Sequence, residues 1–352
     1  MRVWRKVRLV PTWIILTGLM LGMLLACFRQ RGAAAADDAI TLQGAGATFP
    51  APLYERWFAE YNKLHPNVQV NYQALGSGAG IKDFQQNLVD FGASDAAMTD
   101  AEMAAVKQGA VLIPATAGSE ALAYNVPDAP ADLRLSREAY VGIFLGKITQ
   151  WNDPAIAKAN PGAKLPDTKI TVVTRSDGSG TTFIFTSHLS AISDAWKSGP
   201  GAGKSVNFPV GVAGKGNAGV TALIKQTPGA IGYVEYGYAK QTSLPMATLE
   251  NKAGKFVKAD LQTAKNSLAS VKLPENLRAW ITDPAGDDSY PIVSYTWLLC
   301  YKKYDKANVM EAVKALIKFG LTQGQTYSEE LGYVPLPANV VAASTKALDQ
   351  IS

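Results

Sequence analysis

Cysteine and histidine are nearly absent: the 352 residues hold two of each. Cys27 and Cys300 lie too far apart in chain and character to frame a disulfide scaffold, and Cys300 sits in an apolar run that reads as buried core. His65 and His188 have no cysteine or histidine at ligand spacing, so no metal site is expected, and both read as surface or helix-capping residues. An excess of charge of one sign is also lacking once the N-terminus is set aside. Arg2, Arg5, Lys6, Arg8, Arg29 and Arg31 precede the first acid, Asp37, and without those six the formal charge falls from +5 to −1. A near-neutral remainder lacks the basic footprint of a nucleic-acid-binding protein. No internal repeat is visible. Apolar residues make up 47% and charged residues 18%, a globular balance, and the length allows two domains.

The one long apolar run, residues 13–26, follows a basic start and is too short and one-sided for a transmembrane helix. Residues 1–36 therefore read as an export signal. Two cleavage sites compete. Leu24-Leu25-Ala26-Cys27 resembles a lipoprotein box, which would leave Cys27 lipidated as the first residue. Ala33-Ala34-Ala35-Ala36 offers an ordinary small-residue site. The first directly follows the apolar run and is preferred. Both place the mature protein outside the cytoplasm.

From Ile40 onward the pattern is strand, turn, helix, repeated. Residues 40–42 read as a strand, followed by a helix with Leu53, Trp57, Phe58, Tyr61 and Leu64 at helical spacing. Residues 68–72 alternate as a strand, and Thr99 and Glu102 form a capping box. Residues 111–113 and 121–124 read as two strands around a 114–119 connection. Further on, 170–173 is a β-branched strand, 199–219 is glycine-rich and reads as irregular, 219–226 as a helix and 230–238 as a strand. Residues 292–301 read as a buried strand, and two amphipathic helices close the chain. Strands alternating with helices imply α/β layers with a mostly parallel sheet. Two glycine-rich near-misses are set aside. Residues 44–49 start like a dinucleotide fingerprint but place Phe49 where the last glycine belongs. Residues 198–205 mimic a phosphate-binding loop, but Ser198 replaces its first glycine and Pro209 breaks the helix that should follow.

The stretch 174–183 organises the rest. The strand before it ends in Arg175-Ser176-Asp177-Gly178-Ser179-Gly180-Thr181, and a helix follows. A helix N-terminus leaves backbone N–H groups unpaired and carries partial positive charge. With the planar fork of Arg175 it forms a cradle for a tetrahedral anion. Three more turns place a small hydroxyl, an acid or bare backbone at a strand end: Thr48-Phe49, Ser77 after Gly76, and Asp95 after Ser94. In α/β sheets such turns gather at the carboxyl ends of the strands, where ligands bind.

The strings GAGATFPAPLY (44–54), GSGAG (76–80), DFGASDA (90–96), RSDGSGTTFIFT (175–186) and PGAIGYVEY (228–236) resemble the phosphate-binding proteins of high-affinity phosphate ABC transporters, from about Thr41 to the C-terminus. The resemblance implies a two-lobed periplasmic-binding-protein fold of the two-crossover type, each lobe a mostly parallel sheet flanked by helices. It implies phosphate contacts at Thr48, Phe49, Ser77, Asp95, Arg175, Ser179, Gly180 and Thr181, with Asp177 holding the arginine. It also implies inorganic phosphate and inner-membrane permease subunits as partners, a monomer in the periplasm, no cofactor and no enzymatic activity. Many members carry a second serine beside Ser77, where this chain has Gly78. The expected lobes are residues 40–117 with 294–352, and 118–293.

Chemistry agrees with the resemblance. A carboxylate only accepts hydrogen bonds, so Asp95 would take the proton that phosphate keeps near neutral pH and would repel fully ionised sulfate. Three rivals remain at this point: another tetrahedral oxyanion, a phosphatase or esterase with Ser179 as nucleophile, and a surface lipoprotein without ligand. Ser179 lacks a convincing base, since His188 lies about two helical turns away.

Overall fold

The structure, a computed structural model, describes residues 39–130, 132–269 and 271–352. The expected export signal, with Cys27, lies outside the described residues. The strands are β1 (Ile40–Gly46), β2 (Val68–Ala74), β3 (Phe91–Ser94), β4 (Ala110–Asn125), β5 (Arg134–Leu135), β6 (Thr171–Arg175), β7 (Val212–Gly214), β8 (Ala230–Glu235), β9 (Thr248–Glu250), β10 (Phe256–Val257) and β11 (Val293–Tyr301). Helices of eight or more residues are α1 (Ala51–Leu64), α2 (Ser77–Gln85), α3 (Arg137–Phe144), α4 (Gly180–Ile192), α5 (Gly216–Gln226), α6 (Leu261–Ala269), α7 (Ala307–Leu321) and α8 (Ala338–Ala347).

Eight strands join in the order β2-β1-β3-β11-β4-β8-β6-β7, and β10-β9-β5 form a small second sheet. β1 runs parallel to β2 and β3, and β6 runs parallel to β7 and β8. Between these parallel groups β11 is antiparallel to β3 and β4, and β4 is antiparallel to β8. This mixed α/β sheet flanked by helices is the periplasmic-binding-protein fold. The strands nearest the middle, β4, β8 and β11, are buried on both faces, which is why they lack the apolar–polar alternation of a half-exposed strand. α1 shows the opposite pattern: Leu53, Trp57 and Tyr61 fall on one stripe and face the core, and Trp57 donates its indole N–H to the carbonyl of Gly324 at 2.8 Å.

Three sequence expectations need correction. The two strands around residues 114–119 are a single strand, β4. Pro114 lacks an N–H, and the register slips there: Pro114 faces Trp297 while Thr116 faces Thr296, leaving Ala115 as an extra residue. The amide of Gln325 satisfies the Ala115 carbonyl at 2.9 Å, so the strand continues through the bulge. Residues 110–119 then pair with β11 and residues 120–125 with β8. The strand expected over 230–238 stops at Glu235, and a short helix, Tyr236–Gln241, follows. Aromatic content misled the reading there: the Tyr238 hydroxyl leaves the ladder to donate to the carbonyl of Thr48 at 2.6 Å. The 199–219 stretch is not irregular throughout, since it holds β7 and the first turn of α5. Its glycines serve contact rather than looseness: a Cβ on Gly214 would lie 2.7 Å from the backbone of Gly219, so strand and helix touch directly.

Candidate functional site

The four turns singled out in the sequence meet at the carboxyl ends of β1, β2, β3 and β6. Arg175 closes β6, and its side chain is 1% exposed. Its Nε and Nη2 bind the two carboxylate oxygens of Asp177 at 2.9 and 2.6 Å. Nη1 donates to the Thr181 hydroxyl and Nη2 to the Thr48 hydroxyl, both at 3.1 Å. A guanidinium has five N–H donors, and these contacts engage four, leaving one on Nη1. Burial alone would raise the Asp177 carboxyl. The Arg175 fork and the Gly216 N–H, at 2.9 Å, instead hold it below the usual carboxylate range. Asp177 is thus a permanent anion that fixes the fork in place.

Ser179 caps α4: its hydroxyl accepts from the Thr182 N–H at 3.0 Å. Helical geometry leaves the N–H groups of Gly180 and Thr181 without intrahelical acceptors, and both residues are buried. Phe49 turns its ring into the core, and its carbonyl accepts from Tyr333 at 2.7 Å, so what it can offer the site is its backbone N–H.

Asp95 follows β3 and is buried. One carboxylate oxygen accepts from Thr296 at 2.8 Å, and the other lies 3.3 Å from the Ser77 hydroxyl, which itself accepts from the Asp95 N–H at 3.1 Å. Burial pushes the Asp95 carboxyl up to about 7, against the opposing pull of Thr296, Arg175 and Ser77. The N-terminus of α4 presses on this pair so closely that a Cβ on Gly180 would lie 2.5 Å from Ser77 Oγ and 2.6 Å from Asp95 Oδ2. All eight expected contact residues therefore come together, with Asp177 behind them. The helix that follows needs no cap from Asp95, since Thr99 caps it and its capping box with Glu102 is fully formed.

Gly78 resolves the departure noted in the sequence. Its N–H donates to the carbonyl of Gly178 at 2.7 Å, and a Cβ there would sit 3.1 Å from the Gly178 backbone. Position 78 is thus occupied with joining the β2–α2 turn to the β6–α4 turn rather than with the anion cradle. His188 also needs correction. It lies within α4, 1% exposed, and bonds the Tyr140 hydroxyl at 2.8 Å; burial lowers its ring to about 3. It is a neutral core residue, whereas His65 does cap α1.

Two neighbours escaped the sequence reading. Thr296 reaches Asp95 from β11, about 200 residues away, with no local signal. Asn217 sits in the glycine-rich stretch taken as irregular, yet its amide nitrogen touches the hydroxyls of Thr48 and Thr181 at 3.0 and 3.2 Å. The motif Gly214-Lys215-Gly216-Asn217 was the available clue, since Gly216 has φ +67° and turns the chain onto a new helix.

Comparison with known proteins fits this geometry. Residues 32–323 match the family model described as the PBP superfamily domain. The chain is 44% identical to the phosphate-binding protein PstS of Pasteurella multocida, over 86% of this chain and 88% of that protein. It is 40% identical to PstS of Methanocaldococcus jannaschii, over 89% and 86%. Among solved structures, a high-affinity periplasmic phosphate-binding protein (PfluDING) bound with phosphate superposes with a TM-score of 0.70 at 20% identity, covering 89% of this chain and 99% of that one. A phosphate-binding protein from Stenotrophomonas maltophilia gives 0.69 at 21% identity, covering 88% and 94%. This chain belongs to the PstS family of phosphate-binding proteins.

Proposed function

We propose that this chain captures inorganic phosphate between two lobes and delivers it to the permease of an ABC transporter, acting as a monomer in the periplasm. Thr48, Phe49, Ser77, Asp95, Arg175, Ser179, Gly180 and Thr181 contact the anion, and Asp177 holds Arg175. The lobes are residues 40–117 with 294–352, and 118–293. The switch of β4 from β11 to β8 at Ser119 and Glu120 supports that division. Among the described residues no helix is long and apolar enough to cross a membrane. The export signal expected over residues 1–36 would carry the chain out, with Cys27 as a lipid anchor if the first cleavage site is used.

The observation that carries this reading is one buried acceptor, Asp95, set among donors: a fixed guanidinium, a helix N-terminus and small hydroxyls. A tetrahedral anion with one proton satisfies every group, and the proton lies between Asp95 and the anion. Sulfate at the same pH brings no proton and leaves oxygen facing oxygen, a mismatch costing roughly 1–3 kcal/mol or more for charged groups. Cleavage chemistry at Ser179 has less support, because its hydroxyl accepts from Thr182 and His188 is turned to Tyr140. Isothermal titration at pH 8 tests the reading: phosphate binds and sulfate does not. Equal affinities would favour a general oxyanion carrier, and binding of neither would reject the site.

A further inference from the structure

Hydroxyl groups are ambivalent: each can donate once and accept twice, and which it does at a ligand depends on its other neighbours. At Thr48 the ambiguity is removed. Its oxygen receives the Arg175 Nη2 at 3.1 Å, the Asn217 backbone N–H at 3.2 Å and the Asn217 amide at 3.0 Å. Thr181 receives the Arg175 Nη1 at 3.1 Å and the same Asn217 amide at 3.2 Å. The arginine and the backbone N–H are donors only. The amide of Asn217 could in principle face either way, but its oxygen accepts from the Glu235 N–H at 2.9 Å, a group that can only donate. A flipped amide would set N–H against N–H there. The nitrogen, with its two hydrogens, is therefore the end that faces the two threonines, one hydrogen for each.

Resting on the phosphate reading above, we propose that Asn217 is a positioning residue that sets the polarity of the site: by filling the acceptor positions of the Thr48 and Thr181 hydroxyls together with Arg175, it fixes both O–H groups as donors toward the anion. Asn217 touches no ligand itself. It is fully buried, and its place is set by three anchors: the positive φ of Gly216 that starts α5, the β8 backbone at Glu235, and Thr221, whose hydroxyl donates to its carbonyl at 2.8 Å. The device extends the donor set beyond the helix terminus without adding charge, since an asparagine contributes none. It also leaves the accepting role to Asp95, because the Thr48 and Thr181 hydroxyls beside Arg175 are committed to donating.

The test is phosphate titration of the mature chain bearing Asn217→Leu and Asn217→Asp, alone and in a Thr48→Val/Thr181→Val background. Asn217→Leu keeps the backbone N–H and the Arg175 donor on Thr48 but strips the Thr181 hydroxyl of one of its two donors and frees it to rotate, and phosphate binding weakens about tenfold, the worth of one ordinary hydrogen bond. Asn217→Asp goes further, about 100-fold, because its carboxylate accepts from both threonines and turns them away. In the double-valine background there is no hydroxyl to orient, and Asn217→Leu changes affinity less than about twofold. If Asn217→Leu does not fold, Asn217→Ser, which can still accept from the Glu235 N–H but falls short of the threonines, is measured the same way. A tenfold loss that persists in the double-valine background shows a packing role and overturns the inference, as does wild-type affinity in Asn217→Leu. Failure of the wild-type chain to bind phosphate would instead reject the underlying reading, so the two failures are distinguishable.

Discussion

Replacing Gly180 by alanine is the sharpest probe of closure. The added Cβ would lie 2.5 Å from Ser77 Oγ, and 2.6 Å from both Cβ and Oδ2 of Asp95. Ordinary contact begins near 3.4 Å, so the deficit is about 0.9 Å against two buried, mutually bonded side chains. Neither can swing aside: Asp95 is tied to Thr296, and Ser77 accepts from the Asp95 backbone. The relief open to the molecule is for the start of α4 to back away from the ends of β2 and β3, which opens the cradle. Overpacking of this size costs about 1–3 kcal/mol. If the penalty applies only when the lobes are shut, apparent affinity falls by the loss of the shut population, about 5- to 150-fold. Stability without phosphate then stays close to wild type. The assay is paired: calorimetric titration with phosphate, and thermal unfolding in phosphate-free buffer. Gly180→Ala binding phosphate as tightly as wild type would refute the reasoning. An equal drop in unliganded stability would place the clash inside a permanently closed body instead.

Two pH-dependent outcomes follow from the buried acids. Because the Asp95 carboxyl is pushed up to about 7, sulfate gains affinity as pH falls from 9 toward 7, by up to about tenfold per unit, and the gain levels off below 7 where the carboxyl is already protonated and can donate. Asp95→Asn binds sulfate with no such pH dependence, and titrations from pH 5 to 9 check both; a sulfate affinity flat with pH in wild type would rule the mechanism out. Glu120 and Glu235 face each other across β4 and β8, fully buried, and burial raises both carboxyls well above their usual range. A raised native pKa means stability that is complete below the unfolded carboxyl's pKa and lost as pH rises through the native value. Glu120→Gln and Glu235→Gln therefore flatten the alkaline arm of a melting-temperature profile, and an unchanged slope would show that the pair does not titrate with unfolding.

What the sequence reveals here depends on how local the cause is. Arg175 to Thr181 is legible because strand, turn, cap and helix start are all set within ten residues. The capping box at Thr99 and Glu102 formed as read, for the same reason. Pro114 misled because a proline is a local stop signal, and only the distant register with β11 and the amide of Gln325 let the strand pass through it. Asn217 and Thr296 were missed because nothing in their own neighbourhoods marks them; tertiary contact assigns their roles. His188 reads as peripheral because histidine is common at helix ends, whereas α4 runs on to Ile192 and carries the ring inside.

The place of β11 in the large sheet bears on the order of assembly. It is inserted between β3 and β4, yet the chain reaches Val293 only when 292 residues have already been made. Until then β3 and the first part of β4 each present an unpaired edge, and Asp95 lacks its Thr296 partner. Nearly the whole polypeptide must therefore be made before the cluster around Arg175 and Asp95 can be finished, and its closing contact is the last of its parts to arrive.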